Sequence, residues 1–275
     1  MLRGTLIQKD VGVRSGFRWR SREISRIEAL SDAVFGFAIT LLIVSLEVPR
    51  TFGELERVLY GFVPFAISFA MLVWIWYHQY EWFRRYGLQD GITIWLNVIL
   101  LFVVLFYIYP LKFLFGVLIN QFAGNVEFVR DGATRAMAIR TDSGLLNVIT
   151  YEQWPALMMV YAVGFIAIWT LFVLLDMHAY RKRDELALTA LEAFDTRASA
   201  MQHMLLALIG VASFVVSMFG GRATPIAGWI YGLIGPALGT FWTIMGRKRE
   251  ALTRQETAPA PEAMLATPTS VAPNA

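Results

Sequence analysis

The sequence predicts an all-α polytopic membrane protein with six transmembrane helices, on three observations. Of its 275 residues, 57% are hydrophobic and only 16% are charged, whereas a soluble domain carries about a quarter charged residues. The mean hydropathy of +0.53 requires long uninterrupted apolar runs, and such runs belong in lipid. The Lys and Arg residues cluster between those runs, the pattern of basic loops on one membrane face. A soluble enzyme is excluded by the same composition. The absence of Cys excludes a disulfide-stapled secreted domain and thiolate metal or redox sites, and three His leave little material for a multi-histidine centre.

Windows of about 20 mainly apolar residues fall at 30–48, 58–78, 92–109, 156–175, 200–219 and 226–245. The first is not a signal peptide. It starts deep in the chain, carries Asp32 and runs into Glu47-Val48-Pro49-Arg50 with no small-residue cleavage site. With the N-terminus inside, 17 of the 24 Lys and Arg lie on inner segments, among them Arg18, Arg20, Arg84, Arg85, Lys182 and Lys248. The positive-inside rule then places both termini in the cytoplasm, and the expected location is the cell membrane. Residues 1–25 form a basic cytoplasmic segment and 26–249 the membrane domain. Residues 250–275, with four Pro among Ala, Thr and Ser, read as a disordered cytoplasmic tail. Residues 119–153 read as a long polar outer loop marked by the turn signals Gly124-Asn125, Asp131-Gly132 and Ser143-Gly144. Residues 179–199, charged and rich in Ala and Leu, read as a cytoplasmic extension of the fourth helix into the fifth. No internal repeat is present.

Polar residues interrupt the first span at its start, Arg26-Ile-Glu-Ala-Leu-Ser-Asp32. An ionised Asp32 at the end of an apolar run is costly unless paired or watered. The topology brings His78, closing the second span, and Asn97, about two turns into the third, to a similar depth. Ser31, Asp32, His78 and Asn97 are therefore expected to form one buried hydrogen-bonded cluster. The alternative is that Ser31-Asp32 caps the helix start while Arg26 anchors in the headgroups. Arg26 and Asp32 stand about 240° apart on a helix and do not pair within it. Beyond Asp32, the residues Ala33, Phe37, Thr40, Leu41, Val44 and Val48 share a sector of about 80°, apolar apart from one hydroxyl. Such a stripe either packs against lipid or protein or lines a pore whose apolar rings constrict by dewetting. Periodicity leaves both readings open.

The run Arg26-x-x-x-Leu30-Ser31-Asp32 followed by Ala33-Val34-Phe35-Gly36-Phe37-Ala38-Ile39-Thr40-Leu41-Leu42 resembles the opening of the transmembrane protein 175 family, the lysosomal potassium channels and their bacterial relatives. Ser68-Phe69, Trp76, Trp95-Leu96-Asn97 and Pro110 extend the likeness over about residues 26–115. The resemblance implies a potassium-selective, leak-type cation channel with no enzymatic activity and no cofactor. Four six-helix subunits would form a homotetramer around a central pore lined by helix one. The implied partners are the potassium ion (protons and other monovalent cations being further candidates), other copies of the chain and the lipid bilayer, with no nucleic acid. Phe37 then falls at the narrowest hydrophobic ring, Leu41 and Val44 at the rings above it, and Thr40 at a hydroxyl position linked to potassium preference. Arg26, Ser31 and Asp32 match the motif that holds helix one through polar contacts, with His78 and Asn97 as the expected partners. Three positions depart from the family pattern. Leu30 replaces a Phe, Phe37 replaces a smaller aliphatic residue, and the family's His three residues after the helix-two Trp is Gln79, with His78 preceding it.

Rival functions fit less well. A secondary transporter needs midplane charges and paired broken helices, but Glu47 and Asp176 stand at span ends. An intramembrane enzyme needs a nucleophile–base pair or facing metal ligands. No H-E-x-x-H or G-x-S-x-G lies in any span, and His178 and His203 fall at cytoplasmic edges. A non-conducting relative is the remaining alternative, raised by the bulk of Phe37.

Overall fold

The computed structural model of the chain describes residues 13–14, 17–21, 23–44, 50–52, 55, 59, 62–122, 126–131, 134–141, 144–221 and 224–257. A short antiparallel ladder, β1 (Val13–Arg14) with β2 (Phe17–Arg18), leads into α1 (Arg26–Val44), α2 (Phe62–Tyr86) and α3 (Gly91–Phe122). An antiparallel meander follows, with β3 (Val126–Asp131), β4 (Thr134–Thr141) and β5 (Gly144–Thr150) in that spatial order. The chain returns through α4 (Trp154–Arg181) and α5 (Ala190–Met218). It continues as α6 (Thr224–Ile230), a 3-10 turn at Tyr231–Leu233 and α7 (Ile234–Thr257). Among the described residues α3, α4 and α5 are long and apolar enough to cross a membrane. The 28 residues of α4 rise about 42 Å at about 1.5 Å each, beyond the roughly 30 Å of a hydrocarbon core.

Helix α4 is the centre of the bundle. It packs most extensively on α5, with α3 on a second side, while α1 rests on α2 and α3, and α7 on α5. Two glycines permit the close approaches. A Cβ on Gly164 would stand 2.2 Å from the Tyr107 ring, and one on Gly210 would stand 2.8 Å from Ile166 Cγ1. Small residues at such crossings bring membrane helices into backbone contact, where packing replaces the missing hydrophobic drive.

Five segments depart from the sequence expectation. The third apolar window ends before Pro110, yet α3 continues through it to Phe122. The Leu114 amide just beyond donates to the Tyr161 hydroxyl at 2.9 Å, and the Tyr107 hydroxyl donates to the Tyr161 carbonyl at 3.1 Å. A neighbouring helix thus supplies a partner where Pro perturbs the ladder, which is how Pro is tolerated inside membrane helices. The sixth window is broken by the 3-10 turn at Tyr231–Leu233, where Gly232, Gly235 and Pro236 weaken a continuous helix. The 119–153 segment is no loop but holds β3–β5, with Asp131 closing β3 and Gly144 opening β5, while Gly124, Asn125, Gly132 and Ser143 lie outside the described residues. Its Met137 and Ile149 pack on Val117 of α3 to make a second small core. Finally, residues 250–257 of the expected tail belong to α7, while 258–275 lie outside the described residues. The extension expected at 179–199 is interrupted by a corner at 182–188 before α5 starts behind the Thr189 cap.

Basic residues gather at one end of the bundle. The Arg20 amide donates to the Arg84 carbonyl, Arg18 pairs with Glu192, and Arg249 pairs with Asp195. The meander lies at the other end, against Val117 and Trp154.

Candidate functional site

Helix α1 starts where a capping box places it. The Ser25 amide donates to Glu28 Oε2 at 2.6 Å, and the Glu28 amide donates to Ser25 Oγ at 3.2 Å, so two orphan amides of the first turn are satisfied reciprocally. Ser31 and Asp32 consequently lie inside the helix and cap nothing. One face of α1 is buried at Ser31, Phe35, Ala38 and Leu42. The opposite side shows Leu30, Ala33, Phe37 and Thr40, with Phe37 58% exposed. Leu41 is half-buried beside that face and Val44 closes the helix, while Val48 and Glu47 lie outside the described residues. The Thr40 hydroxyl donates to the Gly36 carbonyl at 2.8 Å. Its proton is thus committed to its own helix and its oxygen lone pairs remain free to accept or to approach a cation.

A polar chain holds the buried face. Gln79 Nε2 donates to Asn97 Oδ1 at 2.5 Å, Asn97 Nδ2 donates to Ser31 Oγ at 2.9 Å, and Ser31 Oγ donates to the Ile27 carbonyl at 2.8 Å. Asn97 and Ser31 are essentially inaccessible, so every link satisfies a group that would be costly to bury alone. Beside the chain, Trp76 Nε1 donates to Asp32 Oδ1 at 2.8 Å. Asp32 is exposed rather than buried, and Arg26 projects outward at the helix start.

The expected four-residue cluster is therefore divided, and His78 is not part of it. Consecutive residues of a helix point about 100° apart. Gln79 of α2 faces α1 and α3, which leaves His78 facing α4 and α5. There His78 Nδ1 lies 3.2 Å from His203 Nε2, and His203 Nδ1 lies 2.8 Å from Asp176 Oδ2. Asp176 is 1% and His203 4% exposed. Trp169 stacks on His203 at 5.5 Å between ring centroids, and Trp74 and Phe172 close the cage. Sequence reading missed this second chain. The apolar window of α4 stops just before Asp176, so the carboxylate passed for a helix-end charge although α4 runs on to Arg181. A charge continuing an apolar helix beyond its window, with a His on the next helix, was the available signal.

Further toward the basic end, Asp90 opens α3. It accepts from Thr93 Oγ1 at 2.5 Å and from the Thr93 amide at 3.3 Å, and lies 2.7 Å from His178 Nε2 and 3.5 Å from Lys182 Nζ. Burial pulls its carboxyl up, but the bonds from Thr93 and His178 outweigh that and hold its pKa down at about 2. Among the described residues no group of three or more His, Cys, Asp or Glu is placed to hold a metal ion.

Comparison with known proteins gives these residues a context. The family described as "Endosomal/lysosomal potassium channel TMEM175" matches residues 26–107. A potassium channel of Marivirga tractuosa is 36% identical over 246 residues, spanning 88% of this chain and 96% of that protein. A potassium channel of Chamaesiphon minutus is 30% identical over 176 residues, 54% of this chain and 87% of that one. The crystal structure of a variant of the potassium channel MtTMEM175, in complex with a nanobody–MBP fusion, superposes with a TM-score of 0.70 at 34% identity, covering 86% of this chain and 100% of that one. A lysosomal potassium-selective channel TMEM175 homolog from Chamaesiphon minutus shares the fold at a TM-score of 0.50 and 23% identity, covering 82% and 99% of the two chains.

Proposed function

The chain belongs to the TMEM175 potassium-channel family, and from that premise we propose that it is a potassium-selective, leak-type channel of the cell membrane. Other copies of the chain complete the pore as a homotetramer with α1 innermost, and both termini face the cytoplasm. The observation that carries this reading is the two-sidedness of α1. Its buried side is tied to α2 and α3 by Ser31, Asn97 and Gln79, while its other side leaves Phe37 and Thr40 exposed among the described residues.

In a symmetric assembly, Phe37, Leu41 and Val44 stack as three apolar rings. Such rings constrict by excluding water, and an ion crossing them sheds part of its hydration shell. Thr40 lies between the first two rings. Its oxygen, with the proton given to Gly36, offers lone pairs to a partly dehydrated potassium ion. Ser31 and Asn97 hold α1 from behind, and Asp32, bound by Trp76, holds its inner end. Arg26 is the headgroup-level residue of the same helix.

Liposome flux with purified protein tests the reading. Potassium uptake exceeding sodium uptake is expected in the wild type. Wild type and Phe37→Ala equally silent over a wide voltage range would overturn it in favour of a non-conducting relative.

A further inference from the structure

We propose that Glu192 is a positioning residue for α1, acting through a strap made of residues 17–21; the inference rests on the channel reading above. The strap runs just ahead of the pore-lining helix and is fastened to a part of the molecule far along the chain. Glu192, 1% exposed, accepts from the Arg18 amide at 2.9 Å, Arg18 Nε at 3.1 Å and the Thr189 amide at 3.0 Å. Oε2, the oxygen that takes the Thr189 amide, also takes Arg18 Nη2 at 3.0 Å and Arg20 Nη2 at 2.7 Å. Two guanidiniums on one buried carboxylate make a charge-assisted clamp.

Other contacts aim the clamp. Arg18 Nη2 donates to the Ala187 carbonyl at 2.7 Å, and Arg20 Nε donates to the Leu186 carbonyl at 2.9 Å. Ala187 holds a φ of 46°, a left-handed conformation unfavourable for a residue with a Cβ and kept only where the surroundings over-determine it. Phe17, 2% exposed, lies under the Arg20 and Arg85 guanidiniums at 5.6 and 5.2 Å. The Arg20 amide donates to the Arg84 carbonyl at 3.0 Å. Gly87, at φ +60°, passes within 3.3 Å of the Ser21 amide as measured from an added Cβ, so the strap fits closely over the end of α2.

Four residues after Ser21 the Ser25 cap begins α1. The α4–α5 corner therefore holds the inner end of α1 toward α2 and α5, on the side away from Phe37. Held outward, the four helices keep their apolar rings apart; released, they lean inward and the rings dewet. The neutral Glu192→Gln side chain weakens the clamp while retaining an acceptor for the Thr189 amide.

The test uses two readouts on the full chain in liposomes. Trypsin cleavage after Arg18 or Arg20 reports strap release, and potassium flux reports the pore. Glu192→Gln is expected to be cut faster than wild type, to assemble normally and to carry roughly five- to tenfold less potassium, a coupling of ordinary size. Adding Phe37→Ala should restore the flux by widening the ring directly, a rescue that general misfolding would not permit. Should Glu192→Gln assemble poorly, the pair Arg18→Gln with Arg20→Gln leaves the α5 cap intact; it lacks those two cleavage sites, so its strap release is read against wild type by trypsin cleavage after the flanking Arg14 or Arg22, with the same flux readout. A conducting wild type together with a variant cut rapidly yet equally conductive overturns the positioning role, as does a variant cut no faster than wild type. Silence of both wild type and Phe37→Ala would instead overturn the channel reading.

Discussion

Helices α1 and α4 are both strongly apolar, yet they satisfy that character in opposite ways. Helix α4 buries Tyr161, Phe165, Ile168, Trp169, Phe172 and Leu175 against the rest of its own chain. Helix α1 buries one stripe and leaves Phe37 and Thr40 on an open side. The polar residues follow the same division. Asp176 on α4 is sealed under His203 and a cage of aromatic rings, whereas Asp32 on α1 accepts from the Trp76 indole and is exposed among the described residues. Where an element is finished within its own chain, its side chains hold the fold. Where one face is left over, that face is available for function.

Substitutions at the two helices should therefore part company, and the largest effect is expected in α4. Trp169→Ala removes a fully buried indole from the middle of the core and should cost about 3–5 kcal/mol. It would register as a sharp fall in thermal stability by size-exclusion chromatography in detergent. Loss of the His203–Asp176 contact should be similarly damaging. His203→Leu leaves a buried carboxylate without its partner, at about 3–5 kcal/mol. Replacing Asp176 by Leu as well should recover most of that loss, because the uncompensated charge is then gone. If the double variant is no better than the single one, the cost lies in packing rather than charge.

At α1 the readout should shift from stability to flux. Phe37→Ala should change the melting temperature of the assembly little, while raising potassium flux by about tenfold or more as the apolar constriction widens. A large loss of stability there would mean that Phe37 is a core residue and that the two helices do not differ as described. The smallest effect is expected from Thr40→Val, which keeps the shape and removes the oxygen. Assembly should be unchanged and potassium-over-sodium preference should fall a few-fold in a bi-ionic flux assay. An unchanged preference would leave the hydroxyl bond to Gly36 as its whole role.

What the sequence determined by itself was the pattern along each element. Apolar runs fall where helices form because burial of backbone in lipid demands internal hydrogen bonding. The period of α1 separates its two sides by helix geometry, and Asp131 and Gly144 bound the hairpin connections because Asp and Gly suit tight reversals. Ser31 and Asn97 meet because two polar residues at one depth in adjacent helices have few other partners. The tertiary structure alone decided which neighbour each face meets. Whether His78 or Gln79 turns to α1 depends on the rotation of α2 between two helix pairs, and a single-sequence period carries no such reference. Asp176 and His203, 27 residues apart, came together only when α4 and α5 packed. The sheet also needed a docking surface, because short strands gain stability from a core to cover, and Val117 supplied it only once α3 ran on past Pro110. The strap followed the same logic. Arg18 and Arg20 are ordinary charges in sequence, each more than 170 positions from Glu192, and they became a clamp because folding buried the carboxylate away from water while Arg18 stays half-exposed at its rim.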